Sequence, residues 1–179
     1  KAGKNKKVLI EFIRKRSAEE CYRILCEKSE IPVFLMTGDS SILDRKRMIR
    51  KIEALDSVIL VATQVVEAGV DIDMDIGYKD ISRLDSEEQF MGRINRSGRK
   101  SGIVYFFDLD NAEKIYSGDK RIEKDKTLVN KEMRELLTAK NFPAYYENGI
   151  LPLVLAEKKK CNDENIEDFF QKTVGNLDM

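Results

Sequence analysis

Apolar positions along this chain gather into short, β-branched runs separated by stretches of helical spacing. Val8–Ile13 reads as a first strand. Ser17, with Glu20 three residues on, has the form of a capping box. Ala18, Cys21, Tyr22 and Leu25 then mark one face of an amphipathic helix. Val33–Thr37 predicts a second strand, and Ser40 or Ser41 can cap a helix with Met48, Ile49, Ile52 and Leu55 on its inner side. Ser57–Thr63 is apolar enough for a strand covered on both faces. Asp75–Asp80 predicts a fourth strand, a helix runs from Asp85 or Ser86 through Asn95, and Ile103–Asp108 closes the series. Strands separated by helical stretches imply right-handed crossovers and a mostly parallel α/β sheet flanked by helices.

After Asp110 the pattern changes. Asp119–Lys140 is highly charged, with Leu128, Met133, Leu136 and Leu137 predicting a helix on the core's surface. Pro143 and Pro152 punctuate the next stretch, and Ile166, Phe169 and Phe170 fit one face of a last short helix. Residues 1–111 therefore read as the sheet domain, and 112–179 as a C-terminal helical extension packed on or beside it. Covering the sheet is the simplest task for that extension.

Composition narrows the chemistry. With 42% apolar and 36% charged residues in 179, the chain is globular and not disordered. Its longest apolar runs, such as Val58–Ala62 and Ile103–Phe107, are far too short to cross a membrane as a helix. It opens Lys1-Ala2-Gly3-Lys4 without Met, which reads as a fragment of a longer chain. There is no histidine, which excludes Ser-His-Asp and Cys-His nucleophile systems and His-based metal sites here. Cys21, Cys26 and Cys161 form no CxxC, so no metal site is expected; they read as reduced and cytoplasmic, with Cys21 facing the core. Formal net charge is zero, yet no acid lies between Gln89 and Phe107, where Arg93, Arg96, Arg99 and Lys100 stand. Arg45, Lys46, Arg47, Arg50 and Lys51 face only Asp44 and Glu53.

Ligands of open parallel sheets bind beyond the carboxyl ends of the strands. Three segments fall there: Arg14-Lys15-Arg16-Ser17, Thr37-Gly38-Asp39-Ser40 and Thr63 through Asp71. On a continuing helix Gln89, Arg93 and Arg96 share a face, with Gly92 leaving room for a partner. Two guanidinium forks suit a polyphosphate, although for two isolated arginines a solvated basic helix end is the commoner explanation. Gly69 permits close backbone approach, and Asp71 can accept a ribose hydroxyl or simply form a turn. Thr63 can hold a phosphate or act as an ordinary cap.

The combination is more specific. Val61-Ala62-Thr63-Gln64-Val65-Val66-Glu67-Ala68-Gly69-Val70-Asp71-Ile72-Asp73 resembles motif V of superfamily 2 helicases. Gln89-Phe90-Met91-Gly92-Arg93-Ile94-Asn95-Arg96 resembles their motif VI, Gln-x-x-Gly-Arg-x-x-Arg. Val8–Ile13 with Ser17-Ala18-Glu19 resembles motif IV, and Thr37-Gly38-Asp39 with Asp44-Arg45 the segment after it. Order and spacing over about residues 6–108 are similar to the second RecA-like domain of such motors. Tyr78, Asp80, Leu84-Asp85-Ser86 and the Asn95-Arg96 ending narrow the resemblance to the CRISPR-associated helicase–nuclease of type I systems. Phe90 departs from it, standing where that family often carries a basic residue.

The resemblance implies an ATP-dependent single-stranded-DNA translocase of CRISPR interference. Arg96 is then the arginine finger toward the γ-phosphate, with Arg93 beside it and Gln89 positioning nucleotide or water. Gly69 and Asp71 contact the nucleotide's sugar side. Thr63 and Gln64 sit at the junction with DNA, and Thr37, Gly38, Arg14 and Ser17 lie along the strand's phosphates. Partners implied are single-stranded DNA, the first RecA-like domain and a CRISPR surveillance complex. No Gly-x-x-x-x-Gly-Lys-[Ser/Thr] loop occurs, and no Asp-Glu-x-x motif precedes this region. ATP with Mg²⁺ would therefore be held mainly by the first domain, and this piece alone should turn over almost nothing. Two other readings stay open: the second motor domain of another DNA or RNA helicase, and a non-catalytic nucleic-acid or partner-binding module.

Overall fold

The computed structural model describes residues 5–67, 69–99 and 101–156. The chain forms two compact units, Lys1–Asn130 and Lys131–Met179, so the segment after Asp110 groups with the sheet as far as Asn130.

The first unit holds five parallel strands: β1 (Lys7–Glu11), β2 (Val33–Met36), β3 (Val58–Ala62), β4 (Ile76–Asp80) and β5 (Ile103–Phe107). Their spatial order is β2-β3-β1-β4-β5, which sets the loops after β2, β3 and β1 side by side. Both faces carry helices, as the continuous apolar character of β3 requires. On one face α1 (Lys15–Lys28) buries Ala18 and packs Cys21, Tyr22 and Leu25 against Phe12 and Val61. On the other, α2 (Ile42–Ala54) and α3 (Leu84–Met91) bring Ile52 and Phe90 onto Leu9, Met36 and Leu60. This is the doubly covered parallel sheet that the strand and helix spacing predicts. Cys21 and Cys26 are free thiols, Cys21 half-buried as expected and pushed up in pKa by that burial.

Three local expectations are corrected. Ser17 does not cap α1: the helix starts at Lys15 with Arg14 at the N-cap, and Ser17 lies within the first turn. Its terminus is served instead by Asp110, whose carboxylate accepts from the Arg14 backbone N–H at 3.2 Å and from the Ser17 hydroxyl at 2.9 Å. A cap supplied from the far end of the sheet leaves no local signal. In α2 the choice of cap resolves to Ser41, whose oxygen accepts from the Asp44 N–H at 3.1 Å. Next, α3 ends at Met91, four residues early, because the Met74 N–H donates to the Arg93 carbonyl at 3.0 Å and the Asn95 N–H to the Met74 carbonyl at 2.7 Å. Asn95 makes that exit at φ +48°, a left-handed conformation that asparagine tolerates better than most residues. The charged stretch from Asp119 is not one helix either. It forms short 3₁₀ turns at Lys120–Ile122 and Lys124–Lys126, the first capped by Asp119.

Phe90 is fully buried, which explains how a ring can stand where a basic residue was expected. It fills the notch left by Gly77 in β4: a Cβ there would lie 2.6 Å from Phe90 Cε1 and 3.0 Å from Ile94 Cδ1. Gly77→Ala is expected to lower stability by about 1–3 kcal/mol through overpacking, read as a lower urea midpoint. An unchanged midpoint would show that the ring yields without cost.

In the second unit, α4 (Lys131–Ala139) buries Leu137, and α5 (Phe142–Ala144), with Pro143 in its first turn, continues into wider turns over Tyr145–Ile150. The expected helix at Ile166, Phe169 and Phe170, and Cys161, lie outside the described residues.

Candidate nucleotide and nucleic-acid site

Among the described residues, the link from β3 to β4 carries no α-helix. After a 3₁₀ turn at Gln64–Val66 the chain runs across the sheet face with Val70, Ile72 and Met74 buried in the core. Their neighbours Gly69, Asp71 and Asp73 are exposed, the period-two alternation of an extended segment. Gly69 takes φ +72°, a left-handed turn that suits glycine.

The stretch leaving α3 lies along this crossover. Arg93 donates from Nε to the Val66 carbonyl at 3.0 Å and from Nη2 to the Glu67 carbonyl at 2.6 Å. Arg96 donates from Nη1 to Asp71 Oδ1 at 2.5 Å. Its backbone N–H reaches Asp73 Oδ1 at 2.8 Å, with the Ser97 N–H on Oδ2 at 3.3 Å. The two guanidinium groups are close enough that Arg96, after burial, holds the pKa of Arg93 down, while Asp71 pulls it up. So the structure brings Gly69, Asp71, Arg93 and Arg96 together as the motifs imply, but by an unwound segment and not by one helix face. The arginines also differ in availability. Two of Arg93's donors hold loop carbonyls, whereas the Arg96 side chain is 45% exposed. Gln89 is exposed near the end of α3.

The candidate strand track lies at the carboxyl ends of β1, β2 and β3. Gln64 Nε2 donates to the Ile13 carbonyl at 2.9 Å, tying the turn after β3 to the loop after β1. The Lys15 ammonium pairs with Asp39, which ties that loop to the turn after β2. Thr63 is buried at the head of its turn, where its hydroxyl makes no cap bond, and its N–H donates to the Met36 carbonyl at 3.1 Å. Thr37 is buried too, while Gly38 is exposed. Arg14 and Ser17 face Asp110, the Arg14 guanidinium at 3.9 Å and the Ser17 hydroxyl at 2.9 Å.

The sequence alone assigns no such role to three further contributors. Arg45 holds the Thr37–Ser40 turn from α2, donating from Nε to the Ser40 carbonyl at 2.9 Å and from Nη2 to those of Thr37 and Gly38 at 3.2 Å. Asp110 is the remote cap of α1, itself held by Asp80, whose carboxylate accepts from the Leu109 and Asp110 N–H groups at 2.9 and 3.2 Å. Burial pushes the Asp80 carboxyl up against those bonds. The third is a buried ion cluster. Lys79 of β4 stands opposite Glu11 of β1 in register and pairs with it, with Glu67 at 3.3 Å and Glu87 at 3.6 Å. Burial raises Glu11 to about 8 and Glu87 to about 7, against the opposing pull of the lysine. Lys79 shares the inward side of β4 with Gly77, but its partners lie far from it in the chain and leave no local pattern.

Residues 4–99 match the family described as CRISPR-associated nuclease/helicase Cas3, C-terminal. The CRISPR-associated nuclease/helicase Cas3 of Haloferax volcanii is 36% identical over 83 residues, 42% of this chain and 9% of that protein. The ATP-dependent RNA helicase DDX42 of Xenopus laevis is 30% identical over 134 residues, 72% of this chain and 14% of its own length. Among solved structures, Cas3 of T. fusca superposes with a TM-score of 0.52 at 18% identity, over 62% of this chain and 16% of that one. The yeast DEAD-box splicing factor Prp28 gives 0.51 at 18% identity, over 76% and 32%. These two structures speak for the fold alone. The chain thus spans only 9–14% of the length of these two sequence relatives. No described helix is long and apolar enough to cross a membrane.

Proposed function

The chain belongs to the family of CRISPR-associated nuclease/helicase Cas3 C-terminal domains, and we propose that it is the second motor half of an ATP-dependent single-stranded-DNA translocase. The observation that supports this most directly is the corner at which Arg93 grips the carbonyls of Val66 and Glu67 while exposed Arg96 rests on Asp71. Two cationic forks beside a glycine turn and an acid fit the phosphate and sugar sides of a nucleotide. ATP, when bound with its magnesium ion, supplies the phosphoryl group passed to water. Arg96 then moves from Asp71 to face the γ-phosphate, and Arg93 keeps the loop in register. Gln89 orients nucleotide or water. Gly69 and Asp71 meet the sugar. Thr37, Gly38, Thr63, Gln64, Arg14 and Ser17 border the strand's phosphates, and a CRISPR surveillance complex delivers the DNA.

The phosphate loop and the magnesium-binding acids belong to the first RecA-like domain, so the ATP site is completed only when two domains meet. Mixing or fusing this chain with that domain is expected to create ATP turnover stimulated by single-stranded DNA, with this chain alone showing almost none. Robust magnesium-dependent turnover by this chain alone would refute the split site. Likeness to the RNA helicase from Xenopus laevis makes RNA the comparison arm. Stronger stimulation by RNA than by single-stranded DNA would reassign the motor to that class.

A further inference from the structure

A buried ion cluster seldom adds net stability, because removing charges from water costs several kcal/mol per ion and the pairing rarely offsets it. Here one ammonium is shared among three carboxyl groups, all of them removed from water. Glu11 and Glu87 are each 1% exposed at the side chain, and Glu11 Oε2 has no hydrogen-bond partner. Such a cluster fits a task of registry better than one of stability.

Its connections say which task. The carboxyl groups come from the end of β1, the loop after β3 and the first turn of α3, and Lys79 of β4 joins them. Ser82 joins the lysine at 3.3 Å and gives its own N–H to Glu87 Oε1 at 2.7 Å. Lys79 also lies 5.8 Å from the centroid of the ring of Phe90, the residue next in sequence to Gln89. Glu67 is the pivot. Its side chain goes to Lys79, and its backbone carbonyl receives the shortest bond of Arg93, at 2.6 Å. Three residues earlier Gln64 is tied to the Ile13 carbonyl beside the candidate strand track.

We infer that Lys79, acting through Glu67, is a positioning residue that fixes the loop after β3 and thereby the placement of Arg93 and its neighbour Arg96. The inference rests on the nucleotide site proposed above and adds what holds that site in place. A guanidinium misplaced by about 1 Å can lose 10²-fold in rate without losing its substrate. The signature is therefore in kcat and not in binding.

The decisive variants are at Glu67, because removing the lysine would leave three carboxyl groups buried without a cation. Glu67→Leu keeps the volume and removes the acceptor; Glu67→Gln keeps an acceptor for Lys79. In the complete motor, with the phosphate-loop domain present, Glu67→Leu is expected to lower the kcat of DNA-stimulated ATP turnover by roughly 10- to 100-fold, with KM for ATP within about twofold. Glu67→Gln is expected to restore kcat to within about threefold of the parent. Thermal unfolding of each variant normalises the rates to folded protein. Equal kcat for Glu67→Leu and the parent per folded molecule would overturn the inference, as would equal losses in both variants. Arg96→Ala runs in parallel. If that change leaves turnover intact, the nucleotide site itself is wrong; if it abolishes turnover while Glu67→Leu is silent, only the positioning role falls.

Discussion

Arg96→Ala is expected to lower DNA-stimulated ATP turnover in the complete motor by about a thousandfold or more, the scale on which arginine fingers act in phosphoryl transfer. The fold should survive the change. Only the backbone N–H of Arg96 ties it to Asp73, at 2.8 Å, and alanine keeps that bond. The side chain's own pairing with Asp71 joins groups that are 45% and 84% exposed, and pairs of that kind contribute at most about 1 kcal/mol. A large rate effect beside a small stability effect therefore separates chemistry from folding. Arg96→Lys sharpens the test, because an ammonium restores the charge without the planar fork that grips phosphate oxygens. It should recover only a small part of the rate. Undiminished turnover in Arg96→Ala, measured beside a melting curve that confirms folding, would remove the finger assignment.

Much of that corner was legible in the sequence, and the part that was not has a physical cause. The five strands stand out because parallel strands covered on both faces are continuous β-branched runs, as Val58–Ala62 shows. The pairing of the crossover with the segment after α3 was legible only as two motifs. What was misread is the means: a helix through Asn95 sets both arginines on one face, whereas the chain leaves the helix at Gly92 and pairs its backbone with Met74. Backbone bonds between residues some twenty apart carry no local pattern. The capping of α1 failed for the same reason, since Ser17 looks like a cap only if Asp110 is ignored. Lys79 was missed differently. A lysine in a strand reads as solvent-facing, and only its partners Glu11, Glu67 and Glu87, far apart in the chain, make its burial tolerable.

Lys79→Met should destabilise the sheet unit strongly at alkaline pH, and its cost should depend on pH. In the parent, burial raises Glu11 from 4.5 to about 8 and Glu87 to about 7. Tyr116, pushed up by burial and by Glu67, faces the same cluster. A folded-state acid with a raised pKa keeps its proton where the unfolded chain has lost it. Its contribution is therefore fully present below about pH 4.5 and is lost as pH rises toward 8. Methionine keeps the length of the side chain but removes the one cation that pulls both carboxyl groups down, so their pKa values climb further and the decline steepens. At pH 8 the folded variant must hold on both buried carboxyl groups the protons that the unfolded chain has lost, while Glu67 has no cation beside it, and the loss should approach about 3–5 kcal/mol. At pH 5 Glu11 and Glu87 keep their protons in the fold and only Glu67 is left facing the methionine, so the loss should be clearly smaller than at pH 8. Urea midpoints at the two pH values measure the difference directly. An equal loss at pH 5 and pH 8 would mean that Lys79 acts by filling space, and the ionic account of the cluster would fall.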